Sequence, residues 1–133
     1  MDRDIYFGRA KLHGEEDERT LRAASNYASS LKRLQRFGEA KSLLRKMMPV
    51  ARRVLGESHQ TTLTMRWIYA EALYMDIRVT LDDLREAVTA LEESERIARR
   101  VFGGAHPMTK GMELRLRKAR AALRAREAPP RGA

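Results

Sequence analysis

The sequence predicts an all-α fold, built as a short stack of helical hairpins. Three observations carry that expectation. Apolar residues step by three and four along most of the 133 residues, and no stretch alternates apolar and polar with a period of two. Glycine stands where successive helical patterns stop. A block of sequence also returns: Ala51-Arg-Arg-Val-Leu-Gly56 reappears as Ala98-Arg-Arg-Val-Phe-Gly103 at an offset of 47.

The elements follow in order. A short helix is expected over Ile5 to Leu12. From Arg19 to Leu34, Leu21, Ala24, Tyr27, Ala28, Leu31 and Leu34 fall on one stripe. From Gly38 to Leu55 the stripe is Ala40, Leu43, Leu44, Met47, Val50, Ala51 and Val54. Pro49 lies inside that pattern and removes one backbone donor, which predicts a kink. Further helices are expected over Gln60 to Ile77, Leu81 to Phe102 and Pro107 to Arg126. Gly14, Gly56 and Gly103-Gly104 occupy sites for left-handed C-terminal caps. Pro107 suits a first helical turn, where its missing N–H costs nothing. These helices make one domain over 1–127. Residues 128–133, Ala128-Pro-Pro-Arg-Gly-Ala133, are expected to be a disordered tail.

Composition narrows the chemistry. There is no Cys, so disulfides, thiolate metal sites and cysteine catalysis are excluded. Aromatics are 6%, so the core must be aliphatic and rich in alanine. No uncharged run approaches the roughly 18 to 20 apolar residues that span a bilayer. Met1-Asp-Arg-Asp has no apolar segment of a secretory signal, which makes a cytoplasmic location the expectation.

The repetition extends beyond one block. Glu39-Ala40 returns as Glu86-Ala87, and each glycine is followed by a histidine (His59, His106) and then a threonine (Thr62, Thr109). Gly14 and Thr20 precede Gly56 and Thr62 by 42, so a degenerate copy starts the chain. About five residues are inserted between the helices of the second copy, around Arg78 to Asp82. Ala28 and Ala40 are small where two antiparallel helices must approach closely, with Leu31 and Leu44 beside them.

These residues resemble tetratricopeptide repeats, in the longer variety of kinesin light chains. Thr20-Leu21, Asn26-Tyr27-Ala28 and Leu31 follow the family's first helix; Thr62-Leu63, Ile68-Tyr69-Ala70 and Leu73 follow it again. Phe37, Glu39-Ala40, Leu44 and Leu55-Gly56 follow its second helix. Gly103, His106, Pro107 and Thr109 match its turn; the earlier turn has Gln60 in place of the proline. The resemblance covers about residues 9 to 125. It implies a right-handed α-solenoid of about two and a half hairpins with a C-terminal capping helix. Three repeats are normally needed for stability, so the chain is expected to end a longer array or to lean on a partner.

The resemblance also implies a peptide groove lined by the first helices. Its ligand-facing positions fall on Arg22, Ser25, Asn26, Ser29, Lys32 and Arg33, then on Thr64, Trp67, Ile68, Glu71, Tyr74 and Met75. Asn26 matches the family asparagine that holds a peptide backbone, and Ile68 replaces it in the second copy. Such a groove is basic and polar at one end, aromatic and apolar at the other. The competing reading is that Trp67, Tyr74 and Met75 pack against a neighbouring helix.

Charge is uneven. The net charge is +9, and Lys110 to Ala133 alone carry eight basic and two acidic residues. Arg115, Arg117, Lys118, Arg120, Arg124 and Arg126 surround a narrow stripe of Met112, Leu116, Ala119 and Leu123. This reads as a solvated capping helix, its arginines favoured by the helix dipole. The alternative is an electrostatic patch for nucleic acid, anionic membrane or an acidic protein.

No constellation for catalysis emerges. His13, His59 and His106 are placed at equivalent inter-repeat turns, and the latter two are expected to start helices by hydrogen bonding. Glu15-Glu-Asp-Glu18 lies at a helix start. Glu92, Glu93 and Glu95 are expected to pair with Arg96, Arg99 and Arg100 within one helix. The sequence implies neither enzyme chemistry nor a cofactor or metal. The leading expectation is a non-catalytic module binding an extended, partly acidic peptide or protein segment. A permanent accessory or scaffold subunit of a larger assembly, with self-association included, is the second; the exposed stripe Ile5, Tyr6 and Leu12 hints at it. Binding of nucleic acid or membrane by the basic helix is the third.

Overall fold

The computed structural model describes residues 1–128; the expected tail beyond Ala128 lies outside the described residues. Six helices and no strand are present among them: α1 (Asp2–His13), α2 (Glu18–Arg33), α3 (Phe37–Leu55), α4 (Gln60–Tyr74), α5 (Leu81–Phe102) and α6 (Pro107–Glu127). None is long and apolar enough to cross a membrane.

α2 pairs with α3 and α4 with α5, and each hairpin closes on small residues. Ala28, Ala40, Ala70 and Ala87 are fully buried, which lets paired backbones come close. α4 packs on α2 and α3 behind it and on α5 and α6 ahead of it. Leu21, Leu44, Met47, Leu63, Met65, Leu73, Leu91 and Met112 fill one continuous core. Each such side chain contributes about 1.5 to 3 kcal/mol by leaving water.

Three equivalent turns set the register of the stack. Asp17, His59 and His106 are the N-caps of α2, α4 and α6. Asp17 accepts from the Arg19 amide at 2.8 Å. The two histidines accept through Nδ1, from Thr61 at 3.0 Å and Met108 at 3.1 Å. Asp17, not His13, is therefore the first-copy counterpart; His13 ends α1.

Other details depart from expectation. α1 begins at Asp2, three residues earlier than the apolar pattern suggests. Tyr6, expected on an open stripe, is 2% exposed and reaches Met47 Sδ at 3.5 Å, whereas Ile5 and Leu12 stay exposed. α4 stops at Tyr74 because Asp76 accepts from the Arg78 amide at 3.0 Å and turns the chain. Gly14, Gly56 and Gly103 have φ of 85°, 95° and 88°, but ψ of 165°, 161° and 163°. They are extended glycine-only conformations rather than left-handed helical caps. Glu92 and Glu93 reach across helices, to Arg120 at 3.0 Å and Arg66 at 3.2 Å; Glu95 does pair with Arg99 within α5, at 2.7 Å.

Candidate functional site

The register of caps places the same face of α2, α4 and α6 side by side. A depression of about 370 Å³ lies there, lined by Ser25, Asn26, Ser29, Lys32, Thr64, Trp67, Ile68 and Arg115. A neighbouring one of about 590 Å³ shares Ser25, Asn26 and Thr64, and adds Arg22, His59 and Phe102 among others. The two are continuous along α2 and α4 through their shared residues.

At its centre is an ion cluster that ties three helices together. Glu71 of α4 has a side chain only 8% exposed; it takes Lys32 Nζ of α2 at 2.8 Å and Arg115 Nε of α6 at 3.3 Å. Two cations on one carboxylate leave the cluster net positive. The Arg115 guanidinium also lies 3.7 Å from the centroid of Trp67, and its Nη1 donates to the Gly111 carbonyl at 3.2 Å. Trp67 rests on Gly111 itself: a Cβ there would stand 2.4 Å from the indole. Burial and the Glu71 carboxylate push the Tyr74 hydroxyl up to about 12, with Arg115 opposing, so it remains a neutral donor.

The expected groove residues divide. Arg22, Ser25, Asn26, Ser29, Lys32, Thr64, Trp67 and Ile68 line the depression. Asn26 is exposed, and its amide makes no hydrogen bond to another described residue. Glu71 lies beneath, and Tyr74 is half-buried beside it. Arg33 belongs elsewhere: it donates to Ser30 Oγ at 3.0 Å and faces a hollow against Met1, Tyr27 and Leu34. Met75, 47% exposed, caps the far end of α4 and does not line the depression. Trp67 satisfies both readings, packed on α6 and lining the groove.

The basic helix also divides. Arg115 turns into the groove. Arg120 is bound to Glu92, and Arg126 donates to the Val79 carbonyl at 2.6 Å. Arg117, Lys118 and Arg124 are exposed, with no ion pair to a described residue. The six therefore do not form one free patch. Among the described residues no three His, Asp or Glu are grouped to hold a metal ion.

Sequence reasoning assigned Arg115 to the basic helix and overlooked Gly111 and Phe102. The repeat offset holds the missing signal: 47 residues carry Ile68 onto Arg115 and Thr64 onto Gly111. Asn26, Ile68 and Arg115 thus occupy one structural position in three successive first helices.

Residues 20–61 match the family model of the tetratricopeptide repeat. That span is most of α2, all of α3 and the turn into α4. No curated protein and no solved structure matches the chain. Tetratricopeptide repeats are non-catalytic modules that mediate protein–protein interaction.

Proposed function

We propose that the chain is an interaction module of the kinesin-light-chain variety, which takes an extended, partly acidic protein segment along the face of α2, α4 and α6. One observation carries this reading. The depression joins an exposed, unengaged amide at Asn26 to a net-positive cluster of Lys32, Glu71 and Arg115 beside an indole. Asn26 can both donate to and accept from a peptide backbone. Lys32 and Arg115 attract a carboxylate, while Arg22 stands further along, paired with Glu18 at 3.3 Å. Trp67 and Ile68 give an apolar side chain its contact.

The test is a nuclease-treated capture experiment comparing the wild type with Asn26→Ala/Trp67→Ala, both verified as helical by circular dichroism. A discrete protein held by the wild type and released by the double variant is the expected result. Retention of the same protein by both would sink the groove reading.

A second reading has one observation in its favour. Ile5 and Leu12 of α1 are exposed together with Met1, so this end of the stack keeps an uncovered apolar edge. A permanent subunit of a larger assembly would cover it, and Ile5→Lys/Leu12→Lys would then release the partner that Asn26→Ala/Trp67→Ala leaves bound.

A further inference from the structure

α1 packs on α2 alone, so most of its circumference meets no other helix. Tyr6 and the half-buried Ala10 mark the side that touches α2. Ile5, Gly8 and Leu12 fall on the opposite side, and Met1, the N-cap, continues their stripe. Met1 is 97% exposed, Ile5 43% and Leu12 79%, and Gly8 is open as well. Phe7 stands apart from this stripe, against Tyr27, with the Arg3 guanidinium 5.3 Å from its ring. Within one chain nothing requires Gly8. A Cβ added there would meet nothing within 4 Å, and glycine weakens a helix interior. A second helix crossing at Gly8 would use the space, because glycine lets backbones approach closely.

The charges beside the stripe suit a copy of themselves. Asp2 and Asp4 lie in the first turn of α1, and Arg9 and Lys11 lie towards its end. Asp4 and Lys11 share one flank of the stripe, and Asp2 and Arg9 share the other. Two α1 helices can run antiparallel with Met1 opposite the second copy's Leu12, and Ile5 opposite its Gly8. Asp4 then meets the second copy's Lys11, and Asp2 its Arg9, each pair staggered by two residues or about 3 Å along the axis. A two-fold axis repeats both pairs. Nearby acids are engaged within the chain: Glu15 pairs with Lys46 at 2.9 Å and Glu16 with Arg53 at 2.6 Å. One Asp2 oxygen accepts from the Ser30 hydroxyl. Asp4 meets only Arg3, at 3.6 Å, with both side chains exposed.

The far end of the stack is unlike this one. By the repeat offsets, Arg117 and Arg120 of α6 stand where Ala28 and Leu31 of α2 are buried. A head-to-tail contact would press the apolar stripe of α1 against those charges, whereas two α1 stripes match each other. We propose that α1 seats a homodimer, in which two copies of the chain pair antiparallel across Met1, Ile5, Gly8 and Leu12. The proposal rests on the uncovered edge of the second reading above, to which it gives one occupant, and it does not depend on the groove. The 12 residues of α1 make a helix about 18 Å long, a short contact, so the association is weak and reversible.

Sedimentation equilibrium of the full chain from about 1 μM to about 1 mM tests this. The expected result is a monomer at the low end and a dimer at the high end. Ile5→Lys/Leu12→Lys, at two exposed positions, is expected to stay monomeric throughout with helicity unchanged by circular dichroism. Asp4→Lys sets like charges against Lys11 at both symmetric contacts and should weaken the dimer about tenfold at low salt. Asp4→Lys/Lys11→Asp should recover most of that affinity. Both variants oppose the helix dipole, so recovery reports the pair and not the helix. Asn26→Ala/Trp67→Ala should dimerise like the wild type. A wild type that is monomeric at about 1 mM overturns the proposal. So does a dimer that survives Ile5→Lys/Leu12→Lys, or a charge exchange that recovers nothing. A wild type that stays monomeric, yet loses a captured protein on Ile5→Lys/Leu12→Lys, overturns self-pairing and leaves the edge reading standing.

Discussion

At Gly111 an added Cβ would stand 2.4 Å from Trp67 Cη2, closer than carbon atoms approach. Glycine is kept inside a helix here, against a propensity cost of about 1 kcal/mol, because the indole occupies the space. Two effects therefore oppose each other in Gly111→Ala. Better helix propensity gains about 1 kcal/mol, whereas forcing a held ring aside costs typically about 1 to 3 kcal/mol. The expected net is a loss of about 1 kcal/mol in urea unfolding. In the Trp67→Ala background the sign should reverse, because the clash is gone and the propensity gain remains. The same destabilisation in both backgrounds would refute the packing account. Residues of this kind show where the site was legible in the sequence and where it was not. Asn26, Lys32 and Trp67 were readable from the resemblance to the repeat family, whose ligand-facing positions they occupy. Arg115 was counted among the charges of α6, because composition records charge and not direction; its fold of the side chain back over Trp67 needs the neighbouring helix to be in place.

Among the elements, the helix starts are the most sharply determined. Asp17 caps α2, and its carboxyl lies at about 2 against an ordinary 3.8, held down first by the Arg19 side chain and then by the Arg19 amide. A carboxyl lowered on folding stabilises the fold above its unfolded pKa and loses that contribution as pH falls through the folded one. The relevant window is therefore about pH 4 down to about pH 2. Asp17→Asn keeps a capping oxygen but cannot titrate. Its stability, followed by urea unfolding at several pH values, should fall less steeply across that window than the wild type's; parallel curves would exclude Asp17 as a source of the acid dependence. α2, α3 and α6 were legible because each carries a stripe at helical spacing; α4 is buried on nearly every side and shows none. Helix ends were less legible. α1 gains its first turn from Asp2, Arg3 and Asp4, which add little apolar pattern. α4 loses its expected last residues because Asp76 hydrogen-bonds ahead to Arg78, a local competition that the apolar Met75 and Ile77 conceal.

For the whole molecule, α4 is the common support. It packs on α2, α3, α5 and α6, and it presents Trp67 and Ile68 to one face and Arg66 and Tyr69 to the other. Repeat arrays can melt piecewise when the interfaces between units are weak. Here the middle helix packs on α2, α3, α5 and α6 alike and so joins the two hairpins and the last helix, and the unfolding should be cooperative. Leu63→Ala, at a fully buried position, is expected to cost about 2 to 4 kcal/mol and to leave one transition, the same by circular dichroism and by hydrogen exchange. Two separated transitions would show that the hairpins hold independently. The groove contact on α4 has an optical consequence as well. Trp67 is the only tryptophan in the chain, so the intrinsic near-ultraviolet emission of the folded protein comes chiefly from one indole in one groove. A guanidinium lies 3.7 Å from the centre of that ring, close enough for its charge to perturb the emission. A segment seated in the groove as proposed would draw on Arg115, and a change in that emission would report it without a label.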